Sequence, residues 1–443
     1  MYISQCLIAK NEEENIRYCL EHLKSVVNEQ IVVDTGSTDR TVEIAEEMGA
    51  KVFHFEWIND FSAARNFAID KAKGDWIIFL DCDEYFSEDS VPKLKKHMKD
   101  WSKDKKTDGI ICKMINVDKN NNLLSVVDNM SLRIFKNNKN LRYVNKIHET
   151  LCNSYKSDGK LSGGYAGNEL VIYHTGYDKD IVANKDKTER NINMIKLSIK
   201  ENAEDAKMHF YLSNEYFRLN KYEEMIKSAQ DALAAKVSEK DGFYYLLAHR
   251  NILTGMHYAA YPLSEIKKEF DTAISEYPQH PDFYYIMALA LLRENEVHES
   301  IVYLEKCISL CENYNMITES QAVANIEDVY TALVHANVLA GNKLRVVSLC
   351  TAILNSNKYN YQILRALIST FLSGEKEESI FGFFRKIYDY DNFKDKLYLL
   401  KASEQSGNEK LTILYKSLLT REELKELEEK IYLKNFHENT KLI

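Results

Sequence analysis

The sequence predicts two architectures in series: an α/β domain on a mostly parallel, Rossmann-like sheet, then an all-α array of helical repeats. Three observations lead there. Short apolar strands alternate with amphipathic helices through the first part of the chain. Only 15 glycines and 4 prolines punctuate 443 residues, too few turn residues for a many-stranded β protein, a collagen-like chain or a disordered one. Beyond about residue 184 glycine nearly vanishes, and a spacing of 34 residues separates the small residues Ala273 and Cys307, the period of a tetratricopeptide repeat.

In order, Tyr2 to Ala9 reads as a strand, and Glu12 to Val26 as a helix with apolar positions at Ile16, Leu20 and Leu23. Gln30 to Asp34 is a second strand, nearly all apolar as a buried parallel strand should be. Thr35-Gly-Ser-Thr-Asp39 turns into a helix through Met48, with Ser37, Thr38 and Asp39 as N-cap candidates and Gly49 closing its far end. Lys51 to Phe55 is the third strand, Phe61 to Ala72 a helix, and Asp75 to Asp81 the fourth strand. Ligands bind such sheets at the carboxyl ends of the strands, where Asp34 and Asp81 both fall. Further on, Gly109 to Val117 and Ser131 to Phe135 read as strands, Asp118 to Asn122 as a polar turn, and Asp158 to Gly164 as a glycine-rich loop.

Helix–turn–helix units then recur: Leu212 to Ala232, Ala273 to Pro278 with Phe283 to Leu310, and Leu333 through Gly341 to Cys350. The expected organisation is an α/β domain over 1–183, repeats over 184–360 and a helical extension over 361–443. The alternative for the second part is an irregular helical bundle.

Charge and cysteine narrow the class. With 58 Lys+Arg against 67 Asp+Glu the net charge is −9, which argues against a dedicated nucleic-acid or anionic-membrane binder. The first apolar run meets Lys10-Asn11-Glu12 too soon for a signal peptide, and no run approaches the ~20 apolar residues that span a bilayer. The 8 cysteines form no CxxC pair, and Cys6, Cys82 and Cys112 lie in strand-like runs, so buried free thiols in a cytoplasmic protein are expected.

Asp81-Cys82-Asp83 carries the strongest chemical signal. Two carboxylates one residue apart, after an apolar strand, can share a divalent cation and a diphosphate, because Mg²⁺ or Mn²⁺ takes oxygen ligands and keeps part of its shell for phosphate. Asp34 either accepts a nucleobase N–H in the crevice or caps the next helix; Asn11 and Glu12 occupy the equivalent place after the first strand, with the same alternative. Arg65 either faces a phosphate or base, or bridges to Asp60.

These residues carry a family resemblance. Cys6-Leu-Ile-Ala-Lys-Asn-Glu-Glu13, Ile31-Val-Val-Asp-Thr-Gly-Ser-Thr-Asp-Arg-Thr41, Asp60-Phe-Ser-Ala-Ala-Arg-Asn66 and Leu80-Asp-Cys-Asp-Glu84 resemble family 2 glycosyltransferases of the GT-A fold. Asn59-Asp-Phe-Ser-x-Ala-Arg-Asn66 followed by helical repeats is similar to the narrower tetratricopeptide-bearing branch that includes sublancin-type peptide S-glycosyltransferases. Arg133-Ile-Phe-Lys136, Lys146-Ile-His-Glu149, Tyr173-His-Thr-Gly-Tyr177 and Lys187-Thr-Glu-Arg-Asn-Ile-Asn193 look like the same branch, so the specific motifs cover about 1–235. Cys82 stands where the family often has alanine.

The resemblance implies a UDP-sugar donor with a divalent cation (Mg²⁺ or Mn²⁺) on its diphosphate. Asp34 would contact uracil, Arg65 the nucleotide, and Asp81 and Asp83 the ribose, metal and phosphate; Asn11 and Glu12 belong to the donor side, and His174 would complete the metal or diphosphate site. For His174 the alternative is a packed core histidine between tyrosines. The implied reaction is a single inverting displacement, in which a carboxylate takes the acceptor's proton. Glu149 is the candidate base and Glu84 its rival, with a salt-bridging or helix-capping Glu149 as the alternative.

The implied partners are a peptide or protein acceptor held by the repeats, modified on Cys or Ser as in glycopeptide bacteriocin modification, and a second copy of the chain. Flagellin or another surface protein, a glycan acceptor, or a non-catalytic scaffold with a degenerate transferase domain are the competing readings. The carboxylates at Asp34, Asp81, Asp83 and Glu149 argue against degeneration.

Overall fold

The structure, a computed structural model, describes residues 1–118, 123–156, 159–175, 185–235, 242–315 and 318–427. Two compact units divide the chain, Met1–Tyr245 and Leu246–Ile443. The boundary expected at 183/184, the turn at 119–122, Asp158, Gly176-Tyr177 and the chain after 427 lie outside the described residues.

The first unit opens with β1 (Ile3–Ala9), α1 (Ile16–Leu23), β2 (Glu29–Asp34), α2 (Thr41–Glu47), β3 (Lys51–His54), α3 (Phe61–Lys71) and β4 (Trp76–Phe79). After the Asp81 loop come β5 (Glu84–Phe86), α4 (Leu94–Trp101), β6 (Gly109–Val117), β7 (Leu123–Lys136), β8 (Leu141–Val144), β9 (Thr150–Asn153), β10 (Gly163–Tyr165) and β11 (Val171–His174). Nine strands form one sheet in the order β3-β2-β1-β4-β7-β6-β11-β5, with β10 paired to β6. β1 to β4 run parallel as expected. The sheet is mostly parallel, as expected, with two antiparallel insertions: β7 enters antiparallel between β4 and β6, and β5 pairs antiparallel with β11.

Both faces of the sheet are covered, and that is why its strands are apolar on consecutive positions. Ile3, Leu7 and Val32 pack toward α1, α2 and α4, while Cys6, Ile31, Val33 and Phe79 pack toward α3 and β8. Helix α2 starts one residue later than its expected caps: its N-cap is Arg40, and Asp39 instead accepts from the Thr41 amide and hydroxyl. Gly49 closes it at φ +84°, as the sequence suggested. The glycines at 163 and 164, expected in a loop, instead lie in β10 and serve strand packing, since a Cβ on Gly164 would meet the Trp101 ring at 2.4 Å.

Three helices complete the first unit: α5 (Lys185–Glu201), α6 (Ala206–Arg218) and α7 (Tyr222–Ala234). Ile147 is buried in one cluster with Ile192, Met194, Ile195, Met208 and Leu212 from α5 and α6. The neighbouring His148 sits at φ +52° with its ring stacked on Tyr211 of α6, centroids 3.6 Å apart and planes 15° apart. The segment from Asn145 to Glu149 is thus pinned by these helices.

The described residues that follow are helical. After α8 (Phe243–Tyr258) follow α9 (Leu263–Glu276), α10 (Pro281–Arg293), α11 (Val297–Glu312), α12 (Gln321–Ala324), α13 (Ile326–Leu339), α14 (Lys343–Ser356), α15 (Tyr361–Leu372), α16 (Glu377–Phe384), α17 (Phe393–Ser406) and α18 (Glu409–Lys416). Ala273 and Cys307, the residues that revealed the period, are both fully buried, as expected of small residues where repeat helices cross closely. All eight cysteines are free thiols. Among the described residues no helix is long and apolar enough to cross a membrane.

Two measurements check this packing. Ile195→Ala should cost about 2–5 kcal/mol in urea unfolding of the first unit, since its side chain is fully buried; an unchanged midpoint would separate α5 from the sheet it follows. Burial, with Lys207 and Arg218 nearby, lowers the His148 pKa to about 4, below its ordinary value. The unfolded chain therefore takes up this proton first as pH falls, so the stabilisation is complete above about pH 6.5 and lost toward pH 4, about 3 kcal/mol in all. His148→Asn, compatible with the positive φ, should flatten that part of the pH–stability curve relative to the parent.

Candidate active site

The carboxyl ends of β1, β2 and β4 lie side by side, with Ala9 opposite Asp34 and Cys6 opposite Phe79. At the β1–β2 end, Asn11 adopts φ +57° and its Oδ1 accepts from the Thr38 amide at 2.8 Å. The N-cap of α1 is Asn15, so Asn11 joins two loops and caps no helix. Asp34 is buried, and its oxygens accept from the amides of Gly36 (3.2 Å) and Ser37 (3.0 Å), with His54 Nδ1 at 3.3 Å. Burial raises its pKa, but the Ser37, His54 and Gly36 hydrogen bonds outweigh that and hold the carboxyl below its ordinary range. Gly36, at φ +105°, supplies the turn that brings those amides round.

Asp81 lies past the end of β4 and is held by two arginines. Arg65 Nη2 donates to its Oδ1 at 2.8 Å and Arg133 Nη2 to its Oδ2 at 3.2 Å. Burial alone would raise the Asp81 pKa, but the two guanidiniums lower it to about 2. Arg65 does not bridge to Asp60, which instead caps α3 by accepting from the Ala63 amide at 2.8 Å. Its Nε donates to Glu149 Oε1 at 2.7 Å, and its guanidinium lies 4.9 Å from the Phe79 ring centroid and 5.3 Å from that of Tyr143. Glu149 Oε2 makes no hydrogen bond among the described residues. Glu84, with only 2% of its side chain exposed, accepts from Arg133 and from the Asp81 amide, which places it beneath the loop. Burial and the Asp81 charge raise its pKa, against the pull of Arg133.

Asp83 and His174 meet on the other side of the triplet. His174 Nε2 lies 3.3 Å from Asp83 Oδ2, and Nδ1 lies 3.0 Å from Asn116 Oδ1. With Nε2–H donating to Asp83 the pair is satisfied as it stands; with Nδ1–H donated to Asn116 instead, the Nε2 lone pair would be free for a cation shared with the carboxylate, the arrangement of a metal-ligating histidine with its outer partner. Burial lowers the His174 pKa, but Asp83, then Glu84 and Asp81, raise it above the ordinary value. A nitrogen and a carboxylate oxygen this close fit a shared cation. Among the described residues no three His, Cys, Asp or Glu side chains converge on a metal position, so those residues bring two prospective ligands together here. Glu12 belongs to this cluster: burial raises its pKa, Asp83 and Asp81 add to that, and Asn15 and Lys187 oppose it.

The structure therefore brings Glu12, Arg65, Asp81, Asp83, Glu84, Glu149 and His174 into one cluster, with Asn11 and Asp34 at the neighbouring strand ends. Sequence reasoning gave no role to Arg133 or Asn116. A charge interrupting the apolar run Leu132-Arg-Ile-Phe135 was the signal for Arg133; Asn116 gave none.

Residues 4–157 match the family model described as Glycosyl transferase family 2. Over 232 residues the chain is 33% identical to a TPR repeat-containing protein of Synechococcus elongatus, covering 52% of this chain and 54% of that one. Over 225 residues it is 32% identical to the SPbeta prophage-derived glycosyltransferase SunS of Bacillus subtilis, covering 50% of each. The chain thus spans about half the length of the curated relatives it matches. Among solved structures, S. aureus TarS 1–349 aligns with a TM-score of 0.33 at 16% identity, over 68% of this chain and 90% of that one, a likeness too low to bear on fold or function. Residues 4–157 are thus similar to glycosyl transferase family 2, on a mixed sheet that precedes a helical region consistent with repeats.

Proposed function

We propose that this chain moves a sugar from a UDP-sugar to a Cys or Ser side chain of a peptide or protein, inverting the anomeric carbon. The carrying observation is the juxtaposition at the end of β4 of an arginine-held Asp81, an Asp83–His174 pair at 3.3 Å and Glu149 tethered to Arg65 at 2.7 Å. Asp83 and His174 would hold a divalent cation, whose Lewis acidity supplies stabilisation of the leaving diphosphate. Asp34 and Asn11 border the crevice where the nucleoside would lie. Glu149, oriented through Oε1 by Arg65, can take the acceptor's proton on Oε2. A cysteine acceptor needs that base less, since a thiol ionises near pH ~8.5.

The helical unit supports a peptide acceptor. A groove of 520 Å³ runs along α10, α13 and α15, bordered by Tyr285, Thr331, His335, Val338, Ile363 and Ala366. Its mixed apolar and hydrogen-bonding walls suit an extended segment with alternating side chains.

Intact-mass analysis of Cys- and Ser-bearing peptides with several UDP-sugars, with Mn²⁺ or Mg²⁺, tests the reading; failure to bind UDP and to release it would leave a scaffold. Asp83→Ala should abolish metal-dependent UDP release and transfer. Glu149→Gln keeps an oxygen for Arg65, so transfer should slow about 10²–10⁴-fold while UDP affinity stays put; undiminished turnover would reject Glu149 as the base.

A further inference from the structure

Arg133 stands on β7 one residue before Ile134, which pairs with Ile78 of β4, so its side chain reaches the end of the metal strand from the neighbouring one. Its Nη2 serves two carboxylates, Asp81 Oδ2 at 3.2 Å and Glu84 Oε1. Its Nε is buried without a hydrogen-bond partner. A buried unsatisfied N–H costs about 1–3 kcal/mol. The fold accepts that cost while directing Nη2 at Asp81 and Glu84, so the two carboxylates set where this guanidinium points. Arg65 reaches Asp81 through the other oxygen, at 2.8 Å. Between the two arginines the Asp81 carboxylate has no freedom to rotate about its Cβ–Cγ bond.

We propose that Arg133 is a positioning residue for donor binding: anchored by Glu84, it locks the plane of Asp81 against Arg65, so that the remaining lone pairs of Asp81 are presented to the ribose and diphosphate of the nucleotide. This rests on the UDP-sugar reading above. A merely structural Arg133 would only neutralise the buried Glu84. The two roles separate when both charges are removed together. Arg133→Met with Glu84→Gln leaves no buried unpaired carboxylate, while the oxygen of the introduced carboxamide can still accept from the Asp81 amide.

The test uses the full chain, with UDP calorimetry in Mn²⁺ and UDP-sugar hydrolysis kinetics. In the double variant the UDP Kd and the donor KM should rise tenfold or more, with kcat at saturating donor falling less than threefold and the melting temperature within a few degrees of the parent. Arg133→Lys retains the charge beside Glu84 and so retains the fold, but its ammonium lacks the planar fork; its UDP Kd should rise threefold or more. UDP affinity within twofold of the parent in both variants overturns the role of Arg133 while leaving the transferase reading intact. A parent chain that binds no UDP overturns both.

Discussion

The site depends on burying one guanidinium. Arg65 projects from α3 with only 6% of its side chain exposed, and an ion so placed is tolerable only with well-placed partners. Asp81 and Glu149 provide them, at 2.8 and 2.7 Å, while Phe79 and Tyr143 present ring faces to the guanidinium. Those partners come from the loop after β4, from the segment between β8 and β9, and from the sheet itself. One side chain therefore ties three parts of the chain to one point. The approach of α3 follows from its small residues: Ala64 and Ala68 are fully buried, so the helix lies close enough for an arginine to reach across to the strand end.

Glu149 can meet Arg65 only because its neighbours are fixed in other directions. Ile147 enters the cluster with α5 and α6, while His148 stacks on Tyr211. Positive φ values at Asn145 (+71°) and His148 (+52°) give the segment the sharp reversals that send consecutive side chains to different partners. The helices that follow the sheet thus belong to the construction of the site. Composition changes near residue 184, yet the first compact unit runs to Tyr245, because apolar packing continues across the change.

Much of this was readable from the sequence. Doubly covered parallel strands leave continuous apolar runs, so β1, β2 and β4 stood out, and Asp34 and Asp81 marked their ends. Partners distant in sequence left weaker traces. The entry of β7 between β4 and β6 is a pairing across more than fifty residues with no local periodicity to announce it. Arg133 showed as a charge inside an apolar run and as the start of the Arg133-Ile-Phe-Lys136 motif; that it would lie between Asp81 and Glu84 depends on that same pairing. Asn116 was silent because an asparagine near a strand end looks like turn chemistry until β11 brings His174 alongside it. The glycines at 163 and 164 read as loop because glycine is a turn residue, yet here they lie in a strand where close approach is needed, by Ile111 and Trp101.

The triplet divides its labour through the residue between its carboxylates. Cys82 is buried, its thiol directed to the Ile8 carbonyl at 3.8 Å, so the chain turns about it with Asp81 on one side and Asp83 on the other. Asp81 takes two guanidiniums and Asp83 takes His174. Asp81, Glu84 and Glu149 contribute three negative charges against two from Arg65 and Arg133, which leaves that half of the cluster near balance. Among the described residues Asp83 is paired with no guanidinium, and its charge couples to that of the half-buried Glu12. The unbalanced negative charge therefore gathers on the His174 side, where the field favours a cation, and a cation there would in turn favour the negative charge of a diphosphate. On the proposed reading, arginine-held oxygens on one side and two prospective cation ligands on the other would let a single strand end orient a nucleotide sugar and receive the charge that develops as it departs.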